Sequence, residues 1–332
     1  MKTLIQKLVE TPGPSGMEYK IREVIRKEVT PYADGIQVDK LGNLIVRKGQ
    51  KTSDGKRIMI SGHMDEIGLM ATHIDENGFI RFITIGGVRP HTCQGGRVLF
   101  MDGTHGVIGA EKLDNMDKVA TLDQLFIDVG ATSKQTCPIK VGSVAGFERP
   151  FLDLGERLVA KSMDDRIGVA VMIETLRTMT HTPNEVVFVF SVQEEVGLRG
   201  ATAAAYGVDP DLGLAVDVTG VGDTPKGVNM DVGLGKGAAV KVRDSSFIAD
   251  PRIVNWMVST AEKNQIAYQL EVLEAGGTDG HAIQLTRAGV PAGCLSIPCR
   301  YIHSPSEMVD YKDIQNSVHL LMELVSNPVA LE

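Results

Sequence analysis

The alternation of helical and strand-like segments along the chain constrains its fold more than any other feature. Apolar residues at helical spacing alternate with short apolar strands before about residue 65 and again after about residue 160. Between about Ile67 and Leu158 the pattern changes to short apolar runs separated by Gly, Pro and Asp. The alternating segments predict an α/β fold with a mostly parallel central sheet and helices on both faces, and the intervening segment predicts a small β domain.

We therefore predict two domains. Residues 1-65 and 160-332 form one discontinuous α/β domain, and residues 66-159 form an inserted β domain that is barrel-like or PDZ-like. A chain of 332 residues is long enough to bury a core in each of two domains.

Net charge and apolar runs exclude several classes of partner. The formal net charge is -8 and no Lys/Arg cluster lies on a predicted helix, so we expect no nucleic-acid partner. No stretch of about 18 apolar residues occurs, and charge interrupts the first residues before an apolar run of signal-peptide length. We expect a cytoplasmic protein without a membrane segment. The four cysteines form no Cys-x-x-Cys pair, which favours reduced, structural thiols over a disulfide framework or a thiolate zinc site.

Polar side chains follow the ends of several predicted strands. In an α/β sheet, ligands bind outside the carboxyl ends of the strands, so residues at these positions are candidates for a site. The residues that fall on this edge are His63, Asp65, Gln193, Glu194, Glu195, Asp217 and His303.

Asp164 and Asp165 stand just before a long predicted helix, where carboxylates are often helix caps. Together with the acids of the sheet edge, however, they would form a strongly repulsive cluster unless cations were present. A bound pair of metal ions resolves the repulsion. Imidazole and carboxylate ligands without thiolate suit Zn²⁺, Co²⁺ or Mn²⁺, and a carboxylate that bridges two ions is usual in co-catalytic hydrolases.

Two short motifs supply parts for such a site. His63-x-Asp65 offers a ligand together with a carboxylate that can hold the other ring nitrogen of the histidine. Glu194 and Glu195 are adjacent and must point in different directions, so one can bind metal while its neighbour takes the proton of an attacking water.

An ordered set of motifs resembles the M42 family of metallo-aminopeptidases, which includes the tetrahedral, glutamyl and deblocking aminopeptidases. The resemblance covers essentially the whole chain, the inserted segment included. Its motifs are Ser61-Gly62-His63-Met64-Asp65-Glu66-Ile67-Gly68, Lys161-Ser162-Met163-Asp164-Asp165-Arg166-Ile167-Gly168, Gln193-Glu194-Glu195-Val196-Gly197, Ala215-Val216-Asp217, Gly276-Gly277-Thr278-Asp279 and Tyr301-Ile302-His303-Ser304-Pro305-Ser306-Glu307.

The resemblance implies a role for each motif. Asp164 matches the residue that bridges two divalent metal ions, Zn or Co with Mn as a further candidate. His63 and Asp217 match the other ligands of one ion, and Glu195 and His303 those of the second. Glu194 matches the general base, and Asp65 the acid that orients the first histidine. The resemblance also implies a cis peptide bond at Asp164-Asp165.

Four further residues are candidate substrate contacts. Asp165 and Asp279 are acids near the motifs that could pair with the α-amino group of a substrate. Thr278 precedes Asp279 in its motif. His281 stands where the family commonly has a small residue, so it either faces the pocket and biases side-chain preference or is a first-turn helix residue without a catalytic part.

The resulting hypothesis is a two-metal aminopeptidase that acts on peptides with a free N-terminus. The resemblance implies a homo-oligomer that dimerises through the inserted domain and can assemble further into a tetrahedral dodecamer. Two alternatives stay open. A metal-dependent deacylase or carboxypeptidase needs much the same ligands, and a non-catalytic assembly scaffold needs only the β domain.

Overall fold

The structure, a computed structural model, describes residues 1–113, 115 and 118–331. Within them the α-helices are α1 (Lys2–Glu10), α2 (Tyr19–Val29), α3 (Met163–Thr178), α4 (Arg199–Val208), α5 (Pro251–Lys263), α6 (Asp279–Gln284) and α7 (Tyr311–Ser326). The strands are β1 (Gly35–Val38), β2 (Leu44–Lys48), β3 (Arg57–His63), β4 (Gly68–Ile74), β5 (Ile80–Ile85), β6 (Arg97–Phe100), β7 (His105–Ala110), β8 (Leu125–Asp128), β9 (Val144–Glu148), β10 (Leu152–Asp153), β11 (Arg157–Ala160), β12 (Glu185–Ser191), β13 (Leu212–Thr219), β14 (Ala238–Arg243), β15 (Tyr268–Val272), β16 (Ala292–Arg300) and β17 (Glu307–Asp310).

The large sheet has a parallel centre and antiparallel edges. Its order is β1-β2-β12-β3-β13-β16-β17-β11-β10, with β14 paired to β16 and β15 to β14. β12, β3, β13 and β16 are parallel to one another, as are β14 and β15, whereas the remaining pairs are antiparallel. The central strands are buried on both faces, which explains why β12 and β13 are continuous apolar runs.

Helices cover both faces of this sheet because alternate strand residues point to opposite sides. On β3, Ile58 and Ile60 belong to the core shared with α1, α2, α3, α5 and α7, whereas Met59 belongs to the core shared with α4 and α6. The predicted fold class, a helix-covered sheet with an added β domain, is confirmed.

The added domain is a closed barrel of six antiparallel strands in the order β4-β5-β8-β7-β6-β9. It has its own core, which includes Phe82, Phe100 and Phe147. Closure removes the exposed strand edges that an open sheet of this size would present. After β9 the chain returns to the large sheet, because β10 and β11 pair there through β17, although the sequence analysis assigned both segments to the inserted domain. Their short apolar pattern does not differ from that of the barrel strands.

α6 is a short helix that ends at Gln284, and β14 joins the large sheet through its pairing with β16. In the described part of the chain, no helix is both long and apolar enough to cross a bilayer.

Candidate metal centre

The topology of the large sheet brings the candidate ligands to one edge. β3 ends at His63, and its parallel neighbour β12 ends at Ser191, which is in register with His63 and precedes Glu194 and Glu195. On the other side of β3, β13 contributes Asp217. His303 lies in the loop between β16 and β17. The carboxyl ends of the parallel strands therefore assemble the site, as the general rule for α/β sheets predicts.

Five side chains form two groups that could each hold a metal ion. The first group consists of His63, Asp164 and Asp217, the second of Asp164, Glu195 and His303, and the ligand atoms of each group lie within 4.8 Å of one another. Asp164 belongs to both groups. Its Oδ1 lies 3.0 Å from His63 Nε2 and its Oδ2 lies 3.2 Å from His303 Nε2.

The remaining distances complete the two groups. Asp217 Oδ1 lies 3.9 Å from His63 Nε2, and Glu195 Oε2 lies 3.1 Å from His303 Nε2. Each carboxylate oxygen of Asp164 therefore faces a different histidine, and each histidine has a second carboxylate beside it. These are the groupings that the family resemblance implied.

The start of α3 separates the two aspartates that the sequence analysis left ambiguous. Asp164 and Asp165 have non-helical backbone angles, and the peptide bond between them is cis, as predicted. Asp165 is fully buried and its Oδ1 accepts a hydrogen bond from Gly168 N at 3.0 Å, so it caps the helix. Only the Asp164 carboxylate is directed toward the histidines.

Asp65 holds several parts of the site together. Its Oδ1 lies 3.5 Å from His63 Nδ1 and accepts a hydrogen bond from Glu194 N at 3.0 Å. Its Oδ2 accepts hydrogen bonds from the Ser15 hydroxyl at 2.6 Å and from Glu195 N at 3.3 Å. With Nδ1 facing this carboxylate and the Asp65 carbonyl, Nε2 is the nitrogen of His63 that faces the site.

The polar atoms of the cluster fit bound cations. His63 Nε2 and Asp164 Oδ1 face each other, and a neutral histidine that donates from Nδ1 would leave two acceptors in contact. Glu195 Oε1 is buried without a hydrogen-bond donor among the described residues. Burial and the nearby Asp164 charge raise the pKa of Asp217 well above its ordinary value, against the opposing effect of His63. Burial lowers the pKa of His303, but hydrogen bonds to Asp164 and Glu195 outweigh it and raise the value to about 11. An acid-rich cluster of this kind is stabilised by positive charge.

Glu194 lies beside the two groups and belongs to neither. Its Oε2 lies 4.0 Å from His63 Nε2, and it lines the same pocket as the candidate ligands. Burial raises the pKa of Glu194 well above its ordinary value, and the charges of Asp217 and Glu195 raise it further.

Glu307 is a part of the site that the sequence analysis did not identify. It is buried, its Oε2 accepts a hydrogen bond from Asp164 N at 3.0 Å, and its Oε1 accepts one from His303 N at 2.8 Å. One carboxylate thus holds the backbone of two candidate ligands. Glu307 ends the motif that contains His303, but the motif by itself indicates no role for it.

A glycine pair of the barrel domain forms one wall of the site. Gly86 and Gly87 follow β5, and a Cβ atom on Gly87 would lie 2.4 Å from His303 Nδ1. A Cβ atom on Gly86 would lie 2.9 Å from Glu195 Oε2. The second group of ligands is therefore packed against the barrel, and this approach requires residues without side chains.

A pocket of about 430 Å³ opens from the candidate ligands. Of the four candidate substrate contacts, Thr278 lies on its wall, and the other three do not. Asp165 is turned into the helix cap. Asp279 is buried behind the wall, where its Oδ2 accepts hydrogen bonds from the hydroxyls of Ser61 and Ser191 at 2.7 and 2.6 Å. The Nδ1 atom of His281 lies 2.6 Å from the Ser246 carbonyl oxygen.

The chain is similar to several known proteins. A family profile described as M42 glutamyl aminopeptidase matches residues 42–320. A protein of Acetivibrio thermocellus that is provisionally named an aminopeptidase is 45% identical over 329 residues, which cover 98% of each chain.

Two solved structures have the same fold over nearly the whole chain. The aminopeptidase APDkam598 of the archaeon Desulfurococcus kamchatkensis superposes with a TM-score of 0.93 and 39% identity, over 98% of this chain and 94% of that one. The TET1 peptidase of Pyrococcus horikoshii, described as able to assemble into a tetrahedron or a large octahedral shell, gives a TM-score of 0.89 and 35% identity over 98% of both chains.

Proposed function

This chain belongs to the M42 family of aminopeptidases and is a peptide hydrolase, and on that premise we propose that it works with two divalent cations and with Glu194 as the general base. The observation that carries the proposal is the pair of ligand groups that share Asp164. One shared carboxylate between two sets of ligand atoms is the arrangement that co-catalytic metal pairs require.

His63, Asp164 and Asp217 would hold one cation, and Asp164, Glu195 and His303 the other. Imidazole and carboxylate donors without a thiolate suit Zn²⁺, Co²⁺ or Mn²⁺. When bound, such a pair lowers the pKa of a water molecule and polarises the carbonyl group of the substrate.

Glu194 would move the proton in this reaction. Its carboxylate faces the pocket beside the ligands and is not used by either group. It can accept the proton of the attacking water and then deliver that proton to the amine that leaves. Asp65 fixes its position, because the Asp65 carboxylate accepts the backbone N–H of Glu194 and also lies against His63.

The substrate would enter with its positively charged N-terminus toward the acidic side chains. Asp164, Asp217, Glu194 and Glu195 all line the pocket and attract an ammonium group. The earlier candidates Asp165 and Asp279 do not reach the pocket, so we no longer assign the amine contact to them.

The barrel domain would provide the dimer interface, with assembly into larger shells like that described for the TET1 peptidase. A hollow shell with inward-facing sites would admit peptides and exclude folded proteins. Size-exclusion chromatography with light scattering tests this part of the proposal, and a monomer at working concentrations would contradict it.

The alternatives are less well supported. A carboxypeptidase or deacylase acting on carboxylate-ended substrates needs an arginine clamp, and none of the described residues lining the pocket is arginine. A non-catalytic scaffold has no need of Glu194, which belongs to neither group of candidate metal ligands.

Substitutions of two adjacent residues test whether Glu194 is the general base and Glu195 a metal ligand. We expect Glu194→Gln to lower kcat by about 10²–10⁴-fold, the usual contribution of general base catalysis, without changing the metal content. Glu195→Gln should instead lose metal. The measurements are hydrolysis of aminoacyl anilides with Zn²⁺, Co²⁺ or Mn²⁺, and metal analysis of the purified variants.

Two results would contradict the proposal. Full activity of Glu194→Gln would exclude it as the base, and hydrolysis of N-blocked substrates with none of the free-amine substrates would favour the deacylase.

A further inference from the structure

The wall of the pocket beyond the metal ligands is mainly apolar or glycine. It includes Val218, Gly220, Leu273, Gly277 and Ile302. Lys241 is the one lysine or arginine among the described residues that line the pocket.

The register of the sheet places Lys241 on the same face as Asp217, two strands away. Asp217 on β13 pairs with Ser296 on β16, and Ser296 pairs with Ala239 on β14. Lys241 lies two residues beyond Ala239 on the same face of the sheet, a displacement of roughly 7 Å along the strand. A substrate side chain that leaves the metal ligands along this face would reach Lys241.

The ammonium group of Lys241 is held between two carboxylates. It donates to Glu271 Oε1 and lies 3.7 Å from Asp244 Oδ2. All three side chains are almost fully buried. Lys241 is the only cation within ion-pair distance of either acid among the described residues, so the cluster contains one positive and two negative charges.

Both carboxylates are fixed in place by other contacts. Glu271 also accepts a hydrogen bond from the Thr219 hydroxyl at 2.7 Å. Asp244 accepts hydrogen bonds from Ser246 N at 2.9 Å and from the Ser246 hydroxyl at 3.0 Å. Thr219 and Ser246 are themselves pocket residues, so the cluster is built into the wall.

This arrangement disfavours both kinds of charged substrate side chain. A carboxylate would meet a lysine that is already paired and would add a third negative charge to a buried cluster. A lysine or arginine side chain would meet the Lys241 ammonium first, because the two acids are not part of the pocket lining. Burying either charge without a partner is costly.

We propose that the pocket selects neutral N-terminal residues, and that Lys241, paired with Glu271 and Asp244, is the specificity-determining residue. This inference rests on the proposed aminopeptidase function. It differs from the glutamate preference that the description of the family profile names.

Kinetics on a matched panel of leucyl, methionyl, glutaminyl, glutamyl and lysyl anilides test the inference. For the metal-loaded wild-type enzyme, we expect kcat/KM for the neutral substrates to exceed that for glutamyl and lysyl substrates by at least about 10-fold, within the range of single-pocket discrimination.

Two substitutions should shift the preference in opposite directions. Glu271→Gln keeps an acceptor for Thr219 and leaves Asp244 as the remaining acid beside Lys241, so the cluster loses its excess negative charge and the glutamyl-to-leucyl ratio of kcat/KM should rise by about 10-fold or more. Lys241→Met leaves two uncompensated acids, so the lysyl-to-leucyl ratio should rise by a similar factor.

Controls separate a change of selectivity from a loss of structure. The double variant Lys241→Met/Glu271→Gln removes one charge of each sign and keeps the net charge of the cluster, so its ratios should lie closer to those of wild type than the ratios of either single variant do. Glu185→Gln removes an acid from an ion pair with Arg47 and Arg57 at the opposite end of β12, and it should leave all ratios unchanged.

The possible failures are distinguishable. A wild-type enzyme that prefers glutamyl or lysyl substrates, or Glu271→Gln and Lys241→Met variants whose ratios equal those of wild type, would overturn this inference alone. A wild-type enzyme that hydrolyses none of the aminoacyl anilides with any of the three metals would overturn the proposed function, and the inference with it.

Discussion

Two buried charge clusters both include residues at the start of α3, and they differ in the ratio of acidic to basic side chains. In one, Glu66 is paired with Lys161 at 2.5 Å and lies 3.9 Å from Arg166. In the other, Asp164, Asp217, Glu194 and Glu195 surround His63 and His303. The first cluster contains its own cations, whereas the second has an excess of acids.

This difference distinguishes a cluster that joins structural elements from the cluster that we propose binds metal. Glu66 also accepts a hydrogen bond from Gly13 N at 2.7 Å, and Arg166 donates to the carbonyls of Leu8 and Thr11 at 2.6 and 2.9 Å, so the first cluster ties the N-terminal helix region to α3. The second cluster lines a pocket and holds a buried acceptor, Glu195 Oε1, without a donor among the described residues. A protein folds stably with such an acid excess where a ligand supplies the missing charge.

The largest expected effect is that of Asp217→Asn on activity. Loss of a ligand should reduce kcat/KM by about 10³-fold, equivalent to several kcal/mol of charge stabilisation. The metal-free variant should nevertheless be at least as stable as wild type, because the amide replaces a carboxylate whose pKa is raised by burial and by Asp164. Anilide kinetics and urea denaturation in the presence of chelator measure the two quantities. A clearly lower unfolding free energy for metal-free Asp217→Asn than for metal-free wild type would contradict the idea that this cluster has an excess of acids.

Glu66→Gln should show the reverse pattern. It leaves Lys161 and Arg166 without their acid, and breaking a buried pair in this way costs about 3–5 kcal/mol of unfolding free energy. The Glu185→Gln control, which removes a partly exposed pair with Arg47 and Arg57, should cost less than about 1 kcal/mol. Urea denaturation of metal-free protein is the measurement, and equal losses in the two variants would contradict the interpretation.

The ion pair of Glu66 with Lys161 also predicts how the unfolding free energy depends on pH. Burial raises the pKa of Glu66, but the charges of Lys161 and Arg166 outweigh burial, so the net shift is downward from 4.5. A carboxyl group with a lowered folded-state pKa stabilises the protein fully above its unfolded value and loses that contribution as the pH falls through the folded value. The stability difference between wild type and Glu66→Gln should therefore be constant near neutral pH and shrink below about pH 4.5.

Glu307→Gln tests whether Glu307, which is not itself a candidate ligand, positions Asp164 and His303 for metal binding. A glutamine has a single acceptor oxygen, so one of the backbone N–H groups of Asp164 and His303 would lose its partner. We expect the affinity for one of two bound ions to fall by about 10–100-fold, as is typical for residues that support metal ligands. Competition with a chelator measures this affinity without relying on activity.

The chain offers a matched control for Glu307→Gln. Asp313 is also buried and also accepts two backbone N–H groups, those of Gly235 and Gly237, both at 2.7 Å. Asp313→Asn should destabilise the fold by a similar amount and leave metal affinity unchanged. Equal metal affinities in the two variants would assign Glu307 a purely structural part.

Much of the candidate site could be predicted from the sequence because the ends of parallel strands are local features. His63, Glu194 and Asp217 follow or end recognisable apolar runs, and the sheet rule then places them together. The residues that were missed reach the site through loops or through unrecognised strands. Glu307 is the first residue of β17, just after the loop that carries His303, and Lys241 lies on β14, whose short run Ala238–Arg243 begins with two alanines and did not indicate a strand.

The candidate substrate contacts show a different limit. Asp165 and Asp279 are close to ligands in sequence, but both stand at helix starts, where a carboxylate turns toward backbone or hydroxyl donors. The sequence therefore placed Asp165 and Asp279 near the candidate ligands. The direction of their side chains, however, depends on hydrogen-bond partners, and for Asp279 these come from distant parts of the chain.

The smallest effect on metal affinity is expected from Gly87→Ala. This substitution tests whether the barrel domain helps to hold His303, a member of the acid-rich cluster, in place. The added Cβ atom would lie 2.4 Å from His303 Nδ1, so either the loop or the imidazole must move. A small displacement of His303 should weaken metal binding by about 10-fold, less than the loss of a hydrogen-bonded support. A Cβ atom added to Gly207 would meet no atom within 4 Å, and Gly207 does not have a positive φ, so Gly207→Ala is the matched control. Chelator competition on both variants measures the effect. If the two affinities are equal, the barrel merely lies near the metal centre, and if only Gly87→Ala is weakened, the barrel forms part of the wall that holds His303 in place.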